Sequence, residues 1–292
     1  MIAAARRDVD SRRSTHRPRY RFPMTAPTLS LWPDTLVDTL LTDLQPGGAP
    51  RVLGISGLQG TGKSTLAAQM VRSAEARGLR AAVLSLDDLY LDCDGRQALA
   101  RQVHPLLATR GPPGTHEVAL GLAAFAAVRA GTPLRLPRFD KLGDRRLPET
   151  GWPTVQGLDL LLFEGWCVGT PAEPAPALVE PVNTLERDED PAGTWRRWCN
   201  TALARDYPAL WAGLDRLLFL QPPGFDVVFD WRLQQEQALQ AAEPGRGGMD
   251  AGGVARFVQH FERVSRQALR TLPDLADVVV TLDAERGIVS AG

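Results

Sequence analysis

The sequence predicts a doubly wound, mainly parallel α/β sheet built around a phosphate-binding loop. Three observations carry this. Short apolar runs alternate with stretches of helical periodicity along most of the chain. Residues Gly57-Leu58-Gln59-Gly60-Thr61-Gly62-Lys63-Ser64 fit GxxxxGK(S/T), directly after an apolar run and directly before a helical one. No internal repeat competes with this reading.

Taken in order, residues 31–44 carry leucines at 36, 40, 41 and 44, a helical stripe suited to packing on a core. The run 52–55 reads as the buried strand that leads into the loop, and the helix that follows ends near Gly78. Residues 81–86 form a second strand, ending at Asp87-Asp88. A weak helical pattern over 96–110 gives way to a Gly-Pro-Pro-Gly loop, after which Thr115 is placed to cap a helix over 117–130. The charged, proline- and glycine-rich stretch 131–157 predicts a long ordered loop or a small hairpin. Strands are predicted over 158–163, 214–220 and 278–282, and helices over 194–212, 227–243 and 254–269. A proline-rich connector lies at 171–181 and a glycine-rich break at 244–253.

Composition narrows the function classes. The chain has 292 residues, is 44% hydrophobic and carries a net charge of −1, which supports a sizeable core and gives no case for nucleic-acid binding. No run reaches the length of a membrane span. Cys93, Cys167 and Cys199 are far apart, with no CxxC pair, so neither a disulfide framework nor a zinc site is predicted and a cytoplasmic setting is expected. Residues 1–24, arginine-rich and without apolar pattern, read as a disordered tail, leaving 25–292 as a single domain. Nothing in the sequence fixes an oligomeric state. Of the 33 basic side chains only Lys63 and Lys141 are lysines. Ammonium and guanidinium are not interchangeable, so these two positions are candidates for places where arginine will not serve.

The chemistry gathers at strand ends. Gly57, Gly60, Thr61, Gly62, Lys63, Ser64 and Thr65 are the candidate nucleotide-phosphate ligands, with loop N–H groups and the helix N-terminus facing the anion. Lys63 reaches the β/γ-phosphates and the Ser64 hydroxyl suits Mg²⁺. In doubly wound sheets ligands bind at the carboxyl ends of strands. Glu164, ending the strand over 158–163, is therefore placed as a metal-site carboxylate. Asp87 is placed as a general base for a hydroxyl acceptor, with metal coordination as a second role. Asp88 divides evenly between function and a cap or surface charge. Asp140-Lys141-Leu142-Gly143-Asp144 lacks the leading Asn of a guanine-reading NKxD, which argues against a GTPase, and no GxGxxG with a distal acid suggests a dinucleotide enzyme.

These residues resemble the P-loop NTPases that act as kinases of small metabolites, a group that includes phosphoribulokinase, uridine kinase and bacterial pantothenate kinase. Within it, the chain is most similar to plant-type D-glycerate 3-kinase and its yeast and bacterial relatives. The resemblance runs through the loop, the segments SLDDLY (85–90), RGPPGTHE (110–117), PRFDK (137–141) and FEGW (163–166), then WRLQQE (231–236) and 248–261. It implies ATP and Mg²⁺ as cofactors and a small-molecule substrate, with no nucleic acid or membrane partner. It implies Asp87 as catalytic base, Glu164 as the Walker-B carboxylate, and Arg232 as a catalytic arginine on a helical lid over about 231–253. Arg110, His116, Arg138, Asp140 and Lys141 would then line the acceptor pocket, the cations serving a carboxylate such as that of glycerate. His116 has a plainer alternative, a bond to a loop carbonyl. Two other readings of the chain stay open: a kinase for a pantothenate-, nucleoside- or sugar-like alcohol, and a nucleotide-switch ATPase without a small acceptor.

Overall fold

Strands buried on both faces need continuous apolar runs, and this chain's runs become the centre of a six-stranded sheet. The computed structural model describes residues 32–242 and 248–292. The arginine-rich segment 1–24 and part of the glycine-rich break lie outside the described residues. Ten strands occur among them: β1 Arg51–Gly57, β2 Ala81–Ser85, β3 Leu134–Arg135, β4 Phe139–Asp140, β5 Arg145–Arg146, β6 Thr154–Val155, β7 Leu160–Gly165, β8 Arg216–Gln221, β9 Val278–Leu282 and β10 Ile288–Ala291. The main sheet runs β10-β9-β8-β1-β7-β2, parallel except for β10, which lies antiparallel to β9.

Alternate residues of each strand serve opposite faces. Leu53, Ile55, Leu160, Leu162, Leu218 and Leu220 pack with Val37 of α1 (Asp34–Leu40) and with Leu66 and Met70 of α2 (Lys63–Ala76). Val52, Leu161, Phe163, Leu217 and Phe219 belong to the core on the other face. That core also takes Phe125 and Val128 of a helix over Val118–Ala130, and Val258 and Phe261 of a long helix over Ala251–Leu275. Each such side chain, fully buried, contributes about 1.5–3 kcal/mol.

Several boundaries move. The weak pattern over 96–110 resolves into α3 (Cys93–Gln102) and a 3-10 turn at Pro105–Ala108. Thr115 does not cap α4 (Val118–Ala130). Its buried hydroxyl accepts from Gly111 N at 2.9 Å and donates to Pro112 O at 2.7 Å, which ties the preceding loop instead. After α5 (Thr184–Glu189), the predicted helix over 194–212 is two helices, α6 (Thr194–Arg205) and α7 (Pro208–Ala212). Pro208 cannot continue the first and starts the second. The helix α8 (Val227–Ala242) falls where it is expected. The last helix, α9 (Ala251–Leu275), begins earlier than 254, because the Asp250 side chain accepts from Gly253 N at 2.7 Å and caps it. The stretch 131–157 holds two nested ribbons, β4 with β5 inside β3 with β6. This raises the PRFDK segment over the end of β2.

Candidate active site

The phosphate loop turns where its glycines allow it. Gly60 and Gly62 have φ of +85° and +88°, and α2 starts at Lys63. A Cβ on Gly60 would lie 2.6 Å from Cβ of Trp231, so the glycine is required by space as well as by φ. On the other flank the Trp32 indole N–H donates to Gly62 O at 3.4 Å. Thr61 Oγ1 and Lys63 Nζ both donate to Leu58 O, at 2.9 and 3.0 Å, closing the loop on itself. Ser64 and Thr65 follow in the first turn of α2. Burial lowers the Lys63 pKa, and the charges of Glu164 and Asp87 oppose that shift.

Topology brings the acids to the loop. β7 lies between β1 and β2, and its Glu164 stands in register with Ile55 on one side and Ser85 on the other. Ser64 Oγ donates to Glu164 Oε1 at 3.2 Å. Asp87 sits in the 3-10 turn Leu86–Leu89 that ends β2, with its N–H held by Ser85 Oγ at 3.2 Å. Both its oxygens are engaged. Tyr90 O–H donates to Oδ1 at 2.5 Å and Lys141 Nζ to Oδ2 at 2.6 Å. Burial pushes the Asp87 carboxyl up, but the Lys141 ammonium and the two hydrogen bonds outweigh it and hold the group well below the usual carboxylate range.

Neighbouring Asp88 is neither a helix cap nor a surface charge. Its Oδ1 accepts from Phe139 N at 3.0 Å and its Oδ2 pairs with Arg138 at 3.2 Å, so it pins the PRFDK segment to the end of β2. Arg138 also donates to Val83 O and Pro137 O. Arg110 pairs with Asp144 at 2.6 Å and lies over the Phe139 ring, while buried Arg96 takes the other Asp144 oxygen. Asp140 spends its carboxylate on its own turn, accepting from Leu142 N and Gly143 N at 3.1 and 3.0 Å.

His116 finds a side chain rather than a loop carbonyl. Its Nδ1 lies 2.6 Å from the Tyr207 hydroxyl, which already accepts from Gly114 N at 2.9 Å. Among the described residues the Tyr207 proton has no other acceptor, so the tautomer that satisfies both groups takes that proton on Nδ1 and carries the ring N–H on Nε2. That N–H is buried and unpartnered. Burial lowers the His116 pKa to about 4, with the Asp87 charge opposing, so the ring is neutral near pH 7. Tyr90, Tyr207 and Asp144 are the members of this network that sequence reasoning missed. Tyr90 alone left a signal, three residues after Asp87.

Arg232 lies on α8 one residue beyond Trp231, the side chain that abuts Gly60. Its guanidinium donates to Gln235 and Glu236, both at 2.9 Å, and lies over the Phe257 ring. The chain from Gly248 resumes beside this group, with Met249 N donating to Glu236 at 3.3 Å; residues 243–247 lie outside the described residues. Among the described residues no group of three or more His, Cys, Asp and Glu side chains is arranged as a metal cage. No helix among them is long and apolar enough to cross a membrane.

A phosphate loop flanked by two strand-end carboxylates, with a third segment of cations facing them, defines a P-loop phosphotransferase. No protein-family model matches the chain. It is 33% identical over 243 residues to an uncharacterised kinase, mug58, of Schizosaccharomyces pombe, covering 78% of this chain and 86% of that one. It is 30% identical over 263 residues to the chloroplastic D-glycerate 3-kinase of Arabidopsis thaliana; the match takes in 83% of this chain and 54% of the plant enzyme. The solved structure of D-glycerate 3-kinase from Cryptococcus neoformans var. grubii superposes with a TM-score of 0.73 at 27% identity, covering 88% of this chain and 96% of that one. The chain belongs to the P-loop kinases of small metabolites, in the group that contains D-glycerate 3-kinase, and is a phosphotransferase with an alcohol group as acceptor.

Proposed function

We propose that this chain transfers the γ-phosphate of ATP to a hydroxyl of a small carboxylated metabolite, D-glycerate first. The observation that carries the proposal is the meeting of Lys63, Glu164, Asp87 and Lys141 at the ends of three adjacent strands. The relatives named for D-glycerate support the choice of acceptor.

The loop from Gly57 to Thr65 binds the phosphates through its N–H groups, and Lys63 leaves Leu58 O for the β/γ-phosphates. Ser64 and Glu164, already hydrogen-bonded, fit Mg²⁺, which takes one or two protein oxygens and completes its shell with phosphate and water. The ion supplies charge to the bridging phosphate oxygens when bound. Asp87 takes the proton of the attacking hydroxyl. A second role for Asp87 as a ligand of that ion would need Oδ2, which Lys141 now holds.

Arg110, Arg138 and Lys141 bring positive charge to the acceptor carboxylate, and the unpartnered His116 Nε2–H donates to an acceptor oxygen, which removes the penalty of a buried orphan donor. Arg138 and Asp140 shape the pocket by holding the 137–146 ribbon. Arg232, on the α8 part of the proposed lid, would move from Glu236 toward the transferring phosphoryl group and exclude water as it does. Three free cysteines, two of them buried, suit a reducing, cytoplasmic setting.

ADP release against a panel of hydroxy acids, sugars, nucleosides and pantothenate tests the reading. D-glycerate is expected to give the highest kcat/KM. No stimulation above the acceptor-free rate would remove it as the substrate.

A further inference from the structure

The three cations assigned to the acceptor pocket, Arg110, Arg138 and Lys141, are not equally committed. Arg138 is bound to Asp88, Val83 O and Pro137 O. Arg110 is bound to Asp144 and stacked on Phe139. Among the described residues Lys141 has one hydrogen-bond partner, Asp87, and its side chain is 54% exposed. Its backbone sits in the turn between β4 and β5, held by Asp140, so the ammonium can swing on its four-carbon stem while the turn stays in place.

In this state the base is covered. Oδ1 of Asp87 holds the Tyr90 hydroxyl and Oδ2 holds Lys141, at 2.5 and 2.6 Å, so each oxygen already carries a donor and the ammonium on Oδ2 holds down the basicity that an approaching hydroxyl needs. A second carboxylate entering beside Asp87 changes the balance. It competes for the one loosely committed cation and offers the same charge-assisted hydrogen bond. Water or an uncharged alcohol offers no such exchange.

We propose that Lys141 is a latch released by the acceptor: in the empty enzyme it covers Oδ2 of Asp87, and the carboxylate of an anionic acceptor draws it off and uncovers the base. The inference rests on the proposed reaction with a carboxylated acceptor and adds to it a reason for discrimination. Once Oδ2 is uncovered, the acceptor oxygen forms its bond to the γ-phosphorus and its proton passes to Asp87. The bond to the β,γ-bridging oxygen breaks, and ADP leaves with that electron pair. An acceptor without a carboxylate is rejected because it leaves the base covered, whatever its fit, and idle hydrolysis of ATP is held down by the same contact.

The test compares D-glycerate with glycerol, its uncharged analogue, as acceptors for the wild-type chain, Lys141→Met and Lys141→Gln, with thermal melts to confirm that both variants fold. In the variants the ratio of kcat/KM for D-glycerate over glycerol is expected to fall by about tenfold or more, with kcat for glycerol rising. The latch is overturned if the ratio holds within about twofold, a difference worth well under 1 kcal/mol. It is equally overturned if the ratio falls while glycerol turnover stays flat or drops, because Lys141 would then be a carboxylate ligand alone. If the wild-type chain does not phosphorylate D-glycerate, the substrate assignment fails by itself. The latch is then read from acceptor-free ATP hydrolysis, which both variants should raise by about fivefold or more; an unchanged rate overturns it.

Discussion

The nucleotide side and the proposed acceptor side of this site are built by different means. The phosphate loop is a backbone device: its glycines, its helix start and its Lys63 lie within nine consecutive residues. Its shape is set by local bonds such as Thr61 and Lys63 to Leu58 O. The acceptor side is a side-chain device drawn from four separate segments. Asp87, Tyr90, Lys141, Asp88, Arg138, His116 and Tyr207 hold one another across sequence separations of up to 91 residues. A backbone cradle tolerates change in what surrounds it. A side-chain network transmits the loss of one member to the next, so substitutions on the two sides should separate cleanly in kinetics.

The largest expected effect is on the acceptor side. Asp87→Asn removes the proposed base while keeping the shape, and kcat should fall about 10³-fold, with ATP affinity within a few-fold of wild type. A variant that lost nucleotide binding in parallel would show that the two sides are one unit and break the comparison.

Next comes a pH dependence to which the acceptor side contributes His116, with His260 on α9, whose pKa burial also lowers, adding to the same decline. His116 has a folded-state pKa of about 4, below the ordinary 6.5, because burial disfavours its charged form. The unfolded chain therefore takes up this proton first as pH falls. The associated stability is complete above pH 6.5 and is lost between about 6.5 and 4, amounting to at most about 3 kcal/mol. Urea midpoints measured from pH 7.5 to 4.5 should decline through this window, and His116→Gln should flatten the upper part of the decline.

The same division explains what the sequence made legible. The six-strand order was not readable, but five of the strands were, because a strand buried on both faces must be continuously apolar; the edge strand β10, exposed along its length, carries no such run and was not predicted. Placing Glu164 and Asp87 at strand ends required only the rule that ligands bind there. Asp88 was not legible. Its role depends on Phe139 and Arg138, some 50 residues on, and no local pattern encodes that contact. Thr115 showed a helix-cap pattern, yet it ties the loop that holds Gly111 and Pro112. Tyr207 fixes the His116 tautomer from the start of α7, with nothing in its own neighbourhood to suggest it.

Asp88 turns that gap into a measurement. Asp88→Ala leaves the Phe139 N–H and the Arg138 guanidinium without their carboxylate, a loss of about 1–3 kcal/mol if neither finds water. The ribbon carrying Lys141 should loosen, raising the acceptor KM several-fold while ATP affinity stays unchanged. Equal effects on both substrates would place Asp88 in the core of the fold rather than on the acceptor side.

The smallest effect tests the nucleotide side through a residue outside its motif. Arg286, in the turn between β9 and β10, donates to Gly60 O at 2.8 Å and lies 4.8 Å over the Trp231 ring. Trp231 in turn donates from its indole to Ala284 O at 2.8 Å. The C-terminal turn and α8 therefore close on the phosphate loop at one glycine. Arg286→Leu keeps some bulk on Trp231 but loses the hydrogen bond and the cation–π contact, about 1 kcal/mol in a partly exposed setting. ATP affinity should drop by about fivefold and the acceptor KM should not move. A shift in acceptor KM instead would mean that the turn acts through α8 and the lid, and the backbone side of the site would then be coupled to the side-chain network after all.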